Sequence, residues 1–263
     1  MSLRILVTGG TGYLGSAAAS QAAAAGHDVM GVSRSAAVRL DVAELAECRR
    51  VVAQVAPDVV IHTAYGQDDW RTTAEGAAHV AIAAGESGAH LVHVSSDAVF
   101  SGQAPAYDES AIPDPVNRYG AAKAAAEVAV RAVLPAATIV RTSLILGPDS
   151  FMERLVHNLA GGADGVLFAD DIRCPVHRDD LAAAVLELAA ERPAGMFHCG
   201  GPDAISRADI GRLIARRDGL AFDRIRIGSR ASFGPGQQLD LRLDSRHTQG
   251  LLRTRLRGAR EFL

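Results

Sequence analysis

The stretch RYGAAKAAAE, residues 118–127, contains Lys123, the only lysine among the 27 basic Lys and Arg residues of the chain. It follows Tyr119 by four positions, a spacing that places both side chains on one face of a helix. A free phenol titrates near pH ~10. A neighbouring ammonium favours the phenolate and lowers that value, making the phenol a better proton donor to a ketone near neutral pH. Lysine suits the task because its compact, rotatable ammonium also reaches a ribose diol, which the planar fork of arginine does differently. With only four tyrosines in the chain, a lone lysine placed at random would rarely fall here. The plain alternative is a surface helix pair.

Two further stretches supply partners for such a pair. HVSSDAVFSG, residues 93–102, sits at the end of an apolar run. There Ser96 or Ser95 is placed to donate a hydrogen bond to a substrate carbonyl. Asp97 either orients a polar substrate or caps the loop. VTGGTGYLG, residues 7–15, follows the first apolar run and opens an alanine-rich stretch. Its glycines, Gly9, Gly12 and Gly15, let the backbone turn tightly and approach a pyrophosphate, with the helix N-terminus offering free N–H groups. We assign Thr11, Tyr13 and Leu14 to the same dinucleotide contact. The second run ends VSRS, residues 32–35, where an acidic residue would bond the ribose of NAD. Ser33 and Arg34 stand there instead, which favours NADP(H) over NAD(H) unless Arg34 is simply solvated. Asp41, followed by Val42, meets the adenine edge or caps the next helix.

The elements that must position these residues alternate. Short β-branched runs at 3–8, 28–33, 58–62, 90–95 and 137–141 read as strands, and 13–25, 43–56, 74–87, 116–133 and 151–160 read as helices. Runs without polar alternation fit a sheet covered on both faces. The expected class is α/β: a Rossmann-type, doubly wound parallel sheet over residues 1–148 and a smaller C-terminal substrate lobe over 149–263, with some segments returning to the main domain. In the lobe we expect a strand near 166–168, a helix near 179–191, a strand at 195–198 and a helix at 206–217. ASFGPGQQ, residues 231–238, reads as a flexible loop.

Composition narrows the partners. A formal net charge of −3 argues against a nucleic-acid or anionic-membrane footprint. Cys48, Cys174 and Cys199 are widely spaced, so neither a zinc site nor a disulfide framework is indicated, and a reducing cytoplasm fits. The opening LRILVTGG is too short an apolar run for a membrane span. The nine histidines form no metal-ligand pattern. His62 belongs at the third strand end, and His177 and His198 to the lobe. Trp70 covers the cofactor or anchors a helix, Glu153 and Arg154 are candidate substrate contacts, and Arg253, Arg255, Arg257 and Arg260 read as a solvated helix face. The alanines of 120–132 allow close approach of a second copy as a homodimer.

TGGTGYLG, SSDAVFSG and PVNRYGAAK together resemble the extended short-chain dehydrogenase/reductases, within them the dTDP-4-dehydrorhamnose reductase branch. APDVVIHTA, RTSLILG, DIRCPVHRDDLA and GMFHCGGPDAIS carry the resemblance nearly end to end. It implies Ser96 as the catalytic hydroxyl, Tyr119 as proton donor, Lys123 as the holder of the nicotinamide ribose, and Ala64 and Tyr65 along the cofactor. The chain departs from that branch at Ala98, where tyrosine is usual, at Leu144, where tryptophan is usual, and in lacking the Arg-Pro pair near the C-terminus. All three departures fall where a sugar nucleotide would sit, so Leu144 and Asp97 are assigned to the substrate side. The implied activity is reduction of a keto sugar nucleotide or another biosynthetic ketone. An epimerase or dehydratase would differ at Arg34 and Ala98, and a cofactor-binding regulatory subunit without turnover is the reading from a different class.

Overall fold

In the computed structural model, which describes residues 2–263, a six-stranded parallel sheet forms the centre of the molecule. Its first five strands are β1 (Arg4–Thr8), β2 (Asp28–Val32), β3 (Val59–His62), β4 (His90–Ser96) and β5 (Thr138–Thr142). Four two-residue strands follow: β6 (Ile145–Leu146), β7 (Leu167–Phe168), β8 (Ile172–Arg173) and β9 (Val176–His177). The sixth sheet strand is β10 (Gly195–Cys199), and β11 (Ile205–Ser206) and β12 (Ile227–Gly228) complete the lobe. The sheet order is β10-β5-β4-β3-β1-β2. The order reverses between β1 and β3, which opens a crevice at the carboxyl ends of the strands.

The strands are apolar on both faces because helices cover both. On one side α1 (Tyr13–Ala24) and α6 (Arg178–Glu191) pack through Leu14, Ala18, Ala22, Leu181 and Val185. On the other lie α2 (Leu45–Val55), α3 (Gly76–Ser87) and α4 (Arg118–Val133), packed through Val51, Val80, Ala84, Ala126 and Val130. A π-helical turn, Arg71–Glu75, leads into α3 with Trp70 at its head. The lobe is built on α5 (Phe151–Ala160) and α7 (Arg207–Asp218), which enclose Met152, Val156, Ile210 and Ile214 and are joined by Arg217–Glu153 at 2.7 Å. Glu153 is thereby committed within the lobe. None of the helices among the described residues is long and apolar enough to cross a membrane.

Three expectations change. The strand at 195–199 and the helix before it belong to the main sheet, since β10 pairs in parallel with β5 from Gly195↔Thr138 to Cys199↔Thr142. His198 is therefore a buried sheet residue, while His177 caps α6 by accepting from the Asp179 N–H. Residues 253–257 have no regular secondary structure, and of the four arginines only Arg260 lies in a helix, the short Ala259–Phe262. Arg257 grips Asp180 of α6 at 2.7 Å and Arg253 reaches Glu187 at 3.4 Å, so charge pairing fixes the tail along that helix. The loop 231–238 exposes Phe233 but ends in Gln238, which is buried.

A row of polar side chains crosses the sheet beneath α4. Thr8 Oγ1 lies 2.6 Å from His62 Nδ1, and the His62 ring stacks on His93 at 5.2 Å. His62 Nε2 and both ring nitrogens of His93 have no protein partner. Burial, and then the charge of Lys123, pushes His62 down to about 3 and His93 well below its usual value. Folded-state values below the unfolded one mean that the unfolded chain binds the extra protons, so stability is retained above pH ~6.5 and lost as pH falls below it. A His93→Gln variant should lose about 1.4 kcal/mol less stability than the parent between pH 7.5 and 5.5, as read by denaturant unfolding. Equal acid losses would show that His93 is not held neutral.

Candidate active site

The crevice begins at the β1–α1 turn. Gly9 has φ of +72°, and a Cβ there would come within 2.8 Å of the Ala64 N–H, so only glycine lets this turn close against the end of β3. Gly12 N–H donates to the Gly9 carbonyl at 2.8 Å, and α1 begins at Tyr13 with no side-chain cap on its first-turn donors. A narrow backbone cradle facing uncapped helix donors fits a pyrophosphate. Thr11, Ser33, Arg34, Asp41, Val42, Ala64 and Tyr65 all line this crevice. Thr11 Oγ1 donates to Ser33 Oγ at 3.0 Å, and Arg34 stands exposed at the crevice edge. Asp41 accepts from the Ala43 N–H at 3.0 Å, so its carboxylate shapes the loop at the crevice edge.

The side chains of two residues assigned to the cofactor, Tyr13 and Leu14, point elsewhere. Leu14 is buried in the core beside α6, which leaves only its backbone N–H for a ligand. Gly15 lies buried under the turn. Tyr13 donates its hydroxyl to the Pro148 carbonyl at 3.0 Å with Arg178 over its ring, and burial pushes the phenol up to about 12. Helical side chains lean back over the turn N-terminal to them, a direction that the glycine pattern does not reveal.

At the far end of the crevice β4 and α4 meet. Ser96 ends β4, and its Oγ accepts from the Ala98 N–H at 3.2 Å and donates to Asp97 Oδ1 at 3.2 Å. Tyr119 lies on the first turn of α4 with its ring 5.8 Å from that of Tyr65. Burial, then the phenol of Tyr65, raises Tyr119 above its usual range, while Ser96 acts in the opposite direction. Lys123 is buried, with Nζ donating to the Val94 carbonyl at 2.6 Å, and burial pushes it down to about 8. The expected lowering of Tyr119 by the ammonium is therefore not what the structure has. Low-dielectric surroundings keep the phenol proton in place.

Asp97 also differs from expectation. It is 6% exposed and turned inward, receiving Ser143 Oγ at 2.6 Å, with Arg173 Nε at 3.9 Å. Burial raises its pKa and Arg173 lowers it. Its carboxylate accepts from both Ser96 and Ser143, tying the end of β4 to the segment after β5. Arg173 in turn pairs with Asp171 at 2.7 Å, which also receives Arg207 and Arg230 at 2.8 and 2.9 Å. Leu144 is half-buried against the lobe core. Arg154 donates to the Asp149 carbonyl.

Two positioning residues had no legible sequence signal. Gly120 packs so tightly on the Ala98 carbonyl that a Cβ there would overlap it. Gln238 donates through Nε2 to the Ala98 and Phe100 carbonyls at 2.9 and 2.5 Å, and accepts from Asn117 Nδ2 at 2.7 Å. Asn117 caps α4 by accepting from the Gly120 N–H at 2.8 Å. One side chain from the lobe thus ties the Ser96 loop to the start of the Tyr119 helix.

Gln238→Ala strands buried polar groups, and should destabilise by about 1–3 kcal/mol and lower kcat/KM roughly 10- to 100-fold through misplacement. Gly120→Ala, a change that ordinarily stabilises a helix by about 0.5–1 kcal/mol, should here lower Tm. A stabilised Gly120→Ala protein would refute the close contact.

Residues 3–234 match the family model described as RmlD substrate binding domain. The chain is 33% identical over 243 residues to the dTDP-4-dehydrorhamnose reductase of Mycolicibacterium smegmatis, covering 86% of this chain and 72% of that one. It is 29% identical over 253 residues to methionine adenosyltransferase 2 subunit beta of Xenopus laevis, covering 86% and 75%. The crystal structure of dTDP-4-dehydrorhamnose reductase from Bacillus anthracis in complex with NADP superposes with a TM-score of 0.89 at 25% identity, covering 99% of this chain and 97% of that one. The match spans both the glycine turn and the Tyr119–Lys123 helix, and the chain belongs to the RmlD substrate binding domain family.

Proposed function

We propose that this chain is an NADP(H)-dependent ketoreductase of the short-chain dehydrogenase/reductase type that reduces the carbonyl of a keto sugar nucleotide similar to dTDP-4-dehydrorhamnose. The observation that supports this reading is Tyr119 of α4 with its ring 5.8 Å from that of Tyr65 on the crevice wall, beside β4, which ends in Ser96 and whose Val94 carbonyl receives Lys123. The bound cofactor would supply the hydride. Ser96 Oγ would hold the carbonyl oxygen, and Tyr119, kept protonated by burial, would give that oxygen its proton. Lys123 would stabilise the phenolate left behind and bond the ribose diol. Arg34 and Ser33 at the crevice edge support a 2′-phosphate, hence NADP(H) over NAD(H). Exposed Val128 and Val133 on α4 support a homodimer through that helix.

The second reading, a cofactor-binding regulatory subunit, is favoured by one observation, the likeness to methionine adenosyltransferase 2 subunit beta. NADPH oxidation across a panel of dTDP- and UDP-linked keto sugars separates the two. Turnover on one member, reduced roughly 100- to 10,000-fold in Tyr119→Phe with NADPH affinity kept, supports the reductase. Binding without consumption, indifferent to Tyr119→Phe, supports the regulator. With Lys123 losing its proton near pH 8, kcat/KM should fall above about that pH. Arg34→Ala should weaken NADPH while leaving NADH binding unchanged, and equal loss of both would remove the 2′-phosphate assignment.

A further inference from the structure

Lys123 and Glu127 are one turn apart on α4, and both are buried, at 3% and 2% exposure. Glu127 has no freedom to turn away. Its Oε1 receives Ser95 Oγ at 2.5 Å and Arg141 Nε at 3.0 Å, and its Oε2 receives Arg141 Nη2 at 2.8 Å. Arg141, itself 2% exposed, is fixed further by the Ala111 carbonyl at 3.1 Å and by the Phe100 ring at 4.8 Å. Ser95 on β4 and Arg141 on β5 are register partners, so the clamp is built across two adjacent strands and closed by the helix above them.

The groups around Lys123 otherwise give its charge little support. His62 on β3 and His93 on β4 are held neutral, Tyr119 on α4 keeps its proton, and Arg141 is committed to Glu127. The Val94 carbonyl offers one dipole. Burial disfavours the ammonium, and the carboxylate of Glu127 opposes that effect.

We propose that Glu127 is a positioning residue whose carboxylate, clamped by Arg141 and Ser95, keeps the sole lysine of the chain charged inside the fold. The clamp is needed because a buried carboxylate without donors would take up a proton and lose its hold on the amine. The part Lys123 plays in turnover rests on the function proposed above, whereas the charge state of its amine does not and is measured separately.

A single lysine gives a single lysine side-chain signal under selective 13C,15N-lysine labelling, so its titration can be followed directly by NMR. The wild-type midpoint is expected at about 8. Glu127→Gln should lower it by about one pH unit or more and shift the alkaline fall of NADPH binding by the same amount. Glu127→Asp, which keeps the charge, should recover part of the shift. Removing one member of a buried ion pair can unfold a protein, so Glu127→Gln/Arg141→Met, which removes both charges together, provides the second variant; its downward shift should be smaller, because the lost Arg141 cation had opposed the charge on the amine. A folded Glu127→Gln or double variant with an unmoved midpoint overturns the proposal. Should neither fold, Glu127→Asp, which draws the carboxylate back by one methylene, decides: a lowered midpoint supports the proposal and an unmoved one overturns it. None of these readings depends on which ketone, if any, the protein reduces.

Discussion

A buried cation is the constraint around which the site is arranged. Lys123 lies between α4 and β4 where water is excluded, and everything near it answers to that placement. The Val94 carbonyl turns toward it, two histidines stay neutral beside it, and a carboxylate one turn along its helix is locked in place by an arginine and a serine. Low dielectric strengthens each of these electrostatic interactions and makes each unpaired group costly. It also explains why Tyr119 retains its proton in spite of a cation on the same helix face. Burial acts on the phenol and the ammonium together, drawing both toward neutrality.

The second arrangement is mechanical. Ser96 and Tyr119 come from elements that are 22 residues apart and meet only because Gly120 lets the helix touch the Ala98 carbonyl. Gln238, from a distant segment of the lobe, bonds both sides of that contact. Asp97 then joins the Ser96 loop to Ser143 and, through Arg173, to the buried ionic cluster around Asp171. The hydroxyls of Ser96 and Tyr119 are therefore positioned by the main sheet and the lobe together. Asp97, buried at 6% exposure, serves this connection.

Local chemistry made much of this legible in the chain alone. The β1–α1 turn could be read because glycine is nearly obligatory where φ is positive and backbones touch, as at Gly9. The five early strands and their helices followed from apolar runs of fixed period, with boundaries within a few residues of those observed. The Tyr119–Lys123 spacing announced a shared helix face because helical periodicity is a short-range property.

What required the tertiary structure was everything set by partners distant in sequence. Nothing in GMFHC says that it completes the main sheet instead of the lobe, because a strand's neighbour is chosen by pairing with β5, some 57 residues earlier. Gln238 sits in a stretch that reads as a loose loop and becomes buried only when Ala98, Phe100 and Asn117 converge on it. The direction in which Leu14 and Asp97 point, and the sign of the pKa shift at Tyr119, follow from burial, which a linear sequence does not contain. The sequence by itself determined which groups have the chemistry of a carbonyl reductase. The fold decided which of them share a dry, closely packed space, because desolvation and long-range contact exist only once the chain has closed on itself.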